Sequence, residues 1–518
     1  MNVAGLLRFA IEVLRAILAK LKILRDTFGY DSFRPGQEAI VDSLLAGRNV
    51  LAVMPTGSGK SLCFQIPALV KNALTIVVSP LVALMQDQVA ALKIAGVAAE
   101  TINSSASREE NVEIWNRVAA GVTRILYLAP ERLMTERMIA ALQRLNVALI
   151  AVDEAHCISQ WGASFRPEYD ALQNLRHSFP NVPIGAFTAT ADEATRRDMV
   201  AKIFGGQADV FVSGFDRPNI KLAVEPKTNS TKQLLNFLKD HKDESGIVYA
   251  LSRKSVEKWA DVLQDEGYKA LPYHAGLSVS VRTENQEIFM AEKGVIICAT
   301  IAFGMGIDKP DVRFVFHADL PATLDAYYQE IGRAGRDGEA ADAHMIFGMQ
   351  DVMMRRKFID QEGGEERHTK MQHARLRSLV NYAQAPSCRR QVLLQYFGET
   401  TEPCNNCDAC LGYVLFDQSG ERKTVRTLRK ERVAASTVHF DPRSEALLVR
   451  LKALRMKLAK SRGVPAYVIF SDKSLIDMAA KIPLTRWDFG EVHGVGEAKQ
   501  EQFGEVFLKE ITGFVRGG

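Results

Sequence analysis

The stretch Val50-Leu51-Ala52-Val53-Met54-Pro55-Thr56-Gly57-Ser58-Gly59-Lys60-Ser61 decides the fold. An apolar strand runs into a loop that carries two glycines, a lysine and three hydroxyls. Gly57 and Gly59 permit a tight turn whose successive backbone N–H groups point at phosphate oxygens. The helix predicted from Lys60 adds the positive end of its dipole. Thr56 and Ser58 complete the loop, Lys60 brings a mobile charge to the β- and γ-phosphates, and Ser61 offers a hydroxyl to Mg²⁺. The strict pattern places a glycine at position 54, where this chain has Met54. A chance glycine-rich turn is the alternative, and the strand before and the helix after speak against it.

A second strand, Ala148-Leu149-Ile150-Ala151-Val152, ends on Asp153-Glu154-Ala155-His156. A carboxylate at a strand end can hold the Mg²⁺ water shell, and its neighbour can polarise the attacking water. Taken singly, such acids are solvated surface groups. Beside a phosphate loop they predict a nucleoside triphosphatase, with Lys60, Asp153 and Glu154 catalytic and Ser61 and Asp153 toward Mg²⁺. Far along the chain stands Gln329-Glu330-Ile331-Gly332-Arg333-Ala334-Gly335-Arg336. Arg333 and Arg336, three apart, share a face and can reach a γ-phosphate from a facing lobe. Gly332 and Gly335 would let the backbones come close, so hydrolysis becomes a cycle of closing and opening.

Around these motifs, apolar strands alternate with helix-length segments, which argues for parallel sheets buried on both faces. Strands are predicted at 50–53, 74–79, 125–129, 148–152 and 184–187 in a first lobe (residues 26–213). Four more, at 247–250, 295–298, 314–317 and 344–347, belong to a second (214–348) that has no phosphate loop of its own. Residues 349–411 turn helical and end in cysteines. The stretch Glu421–Arg432, inside a linker at 412–440, holds six basic residues against two acidic ones. It is either a salt-dependent phosphate contact or a solvated connection. Residues 441–518 read as a compact helical unit built on Leu447, Leu451, Leu475, Met478, Phe503 and Phe507.

Bulk properties narrow the class without naming it. The 518 residues suffice for three or four domains, with 47% apolar and 24% charged residues. A net charge of +4 is too small to imply nucleic-acid binding, so any basic surface is local. Seven cysteines do not make a secreted disulfide framework. No apolar run approaches the roughly 18 residues of a membrane span. An intracellular, soluble protein with no membrane partner is expected. At the N-terminus (1–25), Val3, Leu7, Ala10, Leu14, Ile17, Leu21 and Leu24 step by four and three. That pattern is a helix packed on the first lobe, a self-association seam or an Arg-bearing transit segment.

Cys388, Cys404, Cys407 and Cys410 stand at intervals that suit a closed tetrahedral Zn²⁺ site. A redox role or chance clustering is the alternative, without the strand-turn-helix context of a redox motif. Cys63, Cys157 and Cys298 lie in apolar company, as inert thiols do.

In this order the elements resemble superfamily 2 helicases, and specifically the RecQ family of DNA helicases. Phe28-Gly29-Tyr30-Asp31-Ser32-Phe33-Arg34-Pro35-Gly36-Gln37 is similar to the family's adenine-recognition motif. The resemblance implies that Gln37 pairs with the adenine edge while Tyr30 and Arg34 flank the base, and it places Gln329 at the nucleotide. Ser79–Gln88, Phe187–Ala191, Tyr273–Leu277 and Ala302–Pro310 match further family motifs. Ser159-Gln160-Trp161-Gly162-Ala163-Ser164-Phe165-Arg166-Pro167 resembles the aromatic-rich loop that links DNA contact to hydrolysis. His156, Trp161, Phe165 and Arg166 are its expected DNA-binding and coupling residues, through stacking and phosphate contact. A merely buried Trp/Phe pair is the alternative. Where the family often has His-Asp, this chain has Ala163-Ser164.

The resemblance implies two RecA-like α/β lobes, a helical zinc module and a small all-α domain of the HRDC type, carried by Leu454-Arg455, Pro465–Asp472 and Gly494-Val495-Gly496. That last turn can offer N–H groups to a DNA phosphate; a packing or protein-binding role is the other reading. A winged-helix domain usual in the family has no room at 411–440. The implied activity is an ATP-dependent 3′-to-5′ DNA helicase of recombination and repair, with ATP, Mg²⁺ and Zn²⁺. Its expected substrates are single-stranded, forked or branched DNA, in the bacterial nucleoid or a nucleus. Single-strand-binding, recombination or topoisomerase proteins are its implied partners. A strand-annealing or junction-binding protein that uses ATP to change its grip, and an RNA-directed helicase, are the rival readings.

Overall fold

In the computed structural model, residues 18–80, 82–103, 106–159, 166–304, 309–362, 366–412, 442–464 and 466–516 are described. Among the described residues, thirteen strands, β1 to β13, form two wholly parallel sheets. The first contains β1 (Val50–Val53), β2 (Leu74–Val78), β3 (Ala99–Ile102), β4 (Ile125–Leu128), β5 (Val147–Val152), β6 (Ile184–Thr188) and β7 (Asp209–Val212), in the order β3-β4-β2-β5-β6-β1-β7. The second contains β8 (Ile220–Pro226), β9 (Ser245–Tyr249), β10 (Lys269–Tyr273), β11 (Val295–Ala299), β12 (Val312–His317) and β13 (Ala341–Phe347), in the order β10-β11-β9-β12-β13-β8. Two RecA-like lobes are thus present: the alternating pattern implies two α/β lobes, and the family resemblance their RecA-like form.

Side-chain alternation explains the apolar runs. Leu51 and Val53 of β1, Ile76 and Val78 of β2 and Ile150 and Val152 of β5 feed one apolar layer. Their neighbours Val50, Ala52, Val77, Leu149 and Ala151 feed the layer on the opposite face. With helices on both sides, neither parity can be polar. The nine expected strands are all present. The four not expected, β3, β7, β8 and β10, are the outer strands of the two sheets.

β7 ends at Val212 and β8 begins at Ile220, on either side of the junction between the lobes. The helices Met349–Glu362, Glu366–Gln384 and Arg389–Tyr396 follow the second sheet. The cysteine loop then lies along the outer edge of β8: Leu222 N–H donates to Asn406 O (3.4 Å), and Asp408 N–H to Leu222 O (3.0 Å). Asp408 also accepts from Val224 N–H and from the fully buried Arg389, so the module caps an otherwise open edge.

Residues 442–516 fold into five helices: Pro442–Arg462, Ala466–Ile469, Asp472–Lys481, Arg486–Gly490 and Glu497–Arg516. Phe470, Phe489, Phe503 and Phe507 meet at the centre of this unit. The unit packs against the Val82–Ile94 helix of the first lobe. At the N-terminus, residues 18–26 are helical and lie on the first lobe. Leu24 is buried with Val41 and Ile66, and Lys20 is buried between Glu38 (3.0 Å) and Asp42 (2.5 Å). The earlier positions of the expected seam, Val3 to Ile17, lie outside the described residues, as does the basic run Arg422 to Arg432.

Candidate active site

The phosphate loop leaves the carboxyl end of β1 and the acidic pair leaves β5; β6 lies between these strands in the sheet. Sites of open parallel sheets form at that end. Gly57 and Gly59 have φ of 80° and 83°, so the loop takes a path that side-chain-bearing residues resist. Lys60 Nζ folds back onto Met54 O (3.1 Å) and Pro55 O (3.5 Å). Burial pulls its pKa below the ordinary lysine range, and the charges of Glu154 and Asp153 partly offset this. Ser61 Oγ accepts from Gln88 Nε2 (3.4 Å). Residue 54 needs no glycine because Met54 is a core side chain, 1% exposed.

Burial raises both Asp153 and Glu154 above the usual carboxylate range; each lies in the field of Lys60, which pulls the other way. Glu154 sits at φ 47° and ψ 44°, a left-handed conformation that costs a non-glycine residue about 1–2 kcal/mol. Its Oε2 lies 3.3 Å from His156 Nδ1 without hydrogen-bond geometry, and is a buried carboxylate oxygen with no hydrogen bond among the described residues. A strained acid with an unsatisfied oxygen beside a phosphate loop fits a group that receives a water or a hydrated cation. Asp153 is held by Tyr169, whose hydroxyl donates to Asp153 O (3.1 Å).

His156 is neutral at pH 7, since burial pushes its pKa down to about 4. Thr188 spends its single proton on Thr190 O (3.0 Å), so it accepts from His156 at 2.8 Å, and the imidazole proton is on Nδ1. Thr190 Oγ1 in turn accepts from Gln329 Nε2 (2.9 Å), which lies in the second lobe. Gln329, expected at the nucleotide, is placed here on Thr190 of the Phe187–Ala191 motif. A hydrogen-bonded path therefore runs from His156, which stands beside Glu154, through Thr188 and Thr190 into the opposite lobe. Thr188 and Thr190 were not singled out in the sequence; threonines have no local signature for this role, and only their motif pointed to the place.

The second lobe reaches the loop directly. A Cβ on Gly332 would stand 2.7 Å from Thr56 Oγ1, and one on Gly57 would stand 3.7 Å from Arg336 Cγ. Arg333 is buried, with its charge acting on Glu154 and its Nε lacking a hydrogen-bond partner among the described residues. Arg217, which the sequence did not flag, donates to Gly332 O, Ala334 O and Gly335 O (3.2, 2.8 and 2.9 Å) and so braces the arginine turn.

Gln37 is 2% exposed and fully engaged: its Oε1 accepts from Arg34 N–H (2.8 Å) and its Nε2 donates to Ser58 O (2.9 Å) and Gly59 O (3.1 Å). Arg34 donates to Gly57 O. The Tyr30–Gln37 segment is thus tied to the phosphate loop, and pairing with an adenine edge requires Gln37 to exchange one of these bonds. Arg166 donates to Pro80 O (3.1 Å) and its charge acts on Glu154. Trp161, Phe165 and residues 305–308 of the Ala302–Pro310 motif lie outside the described residues. The Gly494-Val495-Gly496 turn does not stand open: Gly494 N–H donates to Gly29 O (2.8 Å), because this face of the helical unit is packed on the first lobe.

The four cysteines Cys388, Cys404, Cys407 and Cys410 converge, with sulfurs within 4.8 Å of one another. The Cys388–Cys404 and Cys388–Cys407 separations are 3.5 and 4.0 Å. Four Zn–S bonds of about 2.3 Å in a tetrahedron place sulfurs just under 4 Å apart, so the donor set fits Zn²⁺. Against burial, which raises it, N–H groups of Cys404 and Gln391 bring the Cys388 thiol down to about 7.

Four family models match the chain. They are a DEAD/DEAH box helicase domain over residues 34–198, a helicase conserved C-terminal domain over 227–338, a RecQ zinc-binding domain over 349–411 and an HRDC domain over 444–511. The ATP-dependent DNA helicase RecQ of Haemophilus influenzae is 35% identical over 590 residues, covering 95% of this chain and 95% of that protein. That of Bacillus subtilis is 33% identical, covering 95% and 98%. The 590 aligned positions exceed the 518 residues of this chain, so the Haemophilus protein has stretches with no counterpart here. The RecQ-like DNA helicase BLM of Xenopus laevis is 40% identical across 76% of this chain and 30% of its own length. Among solved structures, the DUF1998 helicase MrfA bound to DNA superposes with TM-score 0.53 at 18% identity, covering 65% of this chain and 49% of that one. Mss116p bound to single-stranded RNA and AMP-PNP gives 0.52 at 17%, covering 75% and 93%. At these identities the two structures establish the fold.

Proposed function

The chain belongs to the RecQ family of ATP-dependent DNA helicases, and from that premise we propose that it moves 3′ to 5′ along one strand of a forked or tailed duplex. The observation that best supports a motor is the seating of Gly332 and Arg336 of one lobe on Thr56 and Gly57 of the other. In this reading Gly57, Gly59, Lys60 and Ser61 hold the triphosphate, and Ser61 with Asp153 would hold Mg²⁺. Mg²⁺ there would neutralise charge on the β- and γ-oxygens. Glu154 orients the water and takes its proton, a task that its raised pKa suits. Arg333 and Arg336 stabilise charge that develops on the γ-phosphate. Tyr30, Arg34 and Gln37 read the base. Cys388, Cys404, Cys407 and Cys410 would hold Zn²⁺, which supplies cross-linking of the module rather than chemistry. Strand contact falls to Trp161, Phe165 and Arg166, and the His156–Thr188–Thr190–Gln329 path carries its effect to hydrolysis. In this reading the first lobe is 26–213, the second 214–348, the cysteine module 349–411 and the C-terminal helical unit 441–518.

The test is unwinding of a 3′-tailed and a 5′-tailed duplex beside DNA-stimulated ATP hydrolysis. Wild-type protein separates the 3′-tailed substrate only. Lys60→Ala abolishes both activities, and Glu154→Gln lowers hydrolysis by about 10²- to 10⁴-fold while nucleotide binding persists. Unwinding by Lys60→Ala at the wild-type rate would overturn the motor assignment. The stretches present in the Haemophilus relative and lacking here keep a second reading open to the same assay: stimulated hydrolysis without strand separation means a translocase that grips DNA but needs a partner to open it.

A further inference from the structure

The adenine-recognition segment is in contact with the C-terminal helical unit, backbone against backbone. A Cβ on Gly29 would lie 2.4 Å from Val495 N, and one on Gly496 would lie 2.4 Å from Thr27 O. With the Gly494 N–H to Gly29 O bond, three glycines leave no side chain between the two turns. The docking extends beyond this point. Gln502 Nε2 donates to Ile94 O (3.1 Å), Tyr467 hydrogen-bonds Asp87, and Ile94 shares an apolar cluster with Leu447 and Phe470.

At the rim of this contact, His493 meets Tyr30 edge to face, with ring centroids 5.3 Å apart and planes at 67°. The backbone of His493 is fixed by Asp477 Oδ2 (2.8 Å), whereas its Nδ1 is buried with no hydrogen-bond partner among the described residues. The ring is thus placed by its fixed backbone and by Tyr30, with the charges of Lys473 and Asp477 close enough to act on it. Arg34, on the other side of the site, is close enough for its charge to act on the imidazole.

We propose that the C-terminal helical unit is a working part of the nucleotide site, with His493 a positioning residue that fixes Tyr30 for stacking on adenine. The proposal rests on the assignment of Tyr30 and Gln37 to the base. It makes ATP affinity depend on a domain that touches neither phosphate nor metal.

The test is steady-state hydrolysis of ATP and of inorganic triphosphate by full-length protein at saturating single-stranded DNA. His493→Ala is expected to raise KM for ATP about five-fold, the scale of one aromatic edge-to-face contact, with kcat near the wild-type value and KM for inorganic triphosphate, which has no base to stack, unchanged. His493→Phe, which keeps the ring, returns KM for ATP toward wild type. Gly496→Val forces the turns apart and raises KM for ATP at least as far. An ATP KM within two-fold of wild type in both His493→Ala and Gly496→Val overturns the proposal. So does a parallel rise for inorganic triphosphate, which would mean that the contact supports the lobe rather than the base. Lys60→Ala in the same assay separates the two levels: if it still hydrolyses ATP, the triphosphatase reading fails, whatever the His493 variants do.

Discussion

Glu154 shows how much of this protein is decided at single residues. Its left-handed backbone and unsatisfied oxygen are unfavourable, and the ordered packing of Ala155, His156, Cys157 and Ile158, all buried, keeps it there. Asp472 is the opposite case, a residue whose setting favours its charge. Burial would raise its pKa, but Arg455 at 2.6 Å and Lys452 at 2.9 Å outweigh this and hold it at about 2. A carboxylate depressed in the fold stabilises above its unfolded pKa, near 3.9, and loses that contribution as pH falls through 2. The shift corresponds to about 2–3 kcal/mol. The hydrogen-exchange protection factors of the Asp472–Lys481 helix in the intact chain should therefore fall between pH 4 and pH 2. Asp472→Asn should exchange fast already at pH 5, since it also leaves Arg455, 4% exposed, without its counter-charge.

At the scale of elements, the strands that the sequence hides are informative. β3, Ala99-Glu100-Thr101-Ile102, and β7, whose exposure alternates along Asp209-Val210-Phe211-Val212, lie at the edges of their sheet. β8 carries Lys221 and Glu225, and β10 begins at Lys269. An outer strand is not enclosed on both sides, so it needs no unbroken apolar run, and charge there discourages edge-to-edge pairing. One such edge is put to use: β8 receives the cysteine loop through Leu222, Val224 and Asp408. Wild-type protein should carry one Zn²⁺ per chain by metal analysis. Cys407→Ser should lose it and free the edge of β8, seen as lost exchange protection at Leu222 and Val224. A structural zinc site contributes on the order of 10 kcal/mol of binding energy to folding, so a chelator should lower Tm markedly. Metal retained at full stoichiometry in Cys407→Ser would remove the cysteine site.

At the scale of the whole molecule, one nucleotide site needs both lobes, and Gly332 marks where they touch. Alanine there brings a carbon to 2.7 Å from Thr56 Oγ1 and 3.0 Å from Tyr328 O, so the arginine turn must retreat. A displacement of about 1 Å at reacting groups lowers rate by about 10²-fold, whereas Gly57, Gly59, Lys60 and Ser61 of the first lobe are not met by the added carbon. Gly332→Ala should therefore depress single-turnover hydrolysis far more than affinity for a fluorescent ATP analogue; equal loss of both would contradict this. The sequence by itself determined the chemistry of the loop and acidic pair, the two parallel sheets, the cysteine set and the family. Each is written in contiguous residues, because a phosphate loop, a doubly buried strand and a metal-binding spacing are local patterns. Only the tertiary structure decided that Gln329 lies on Thr190, that Arg217 braces the arginine turn, and that the Gly494–Gly496 turn is spent on Gly29 rather than left open. These are contacts between residues more than a hundred positions apart, fixed by how packed lobes and domains meet, and nothing in the local spacing of either partner encodes them.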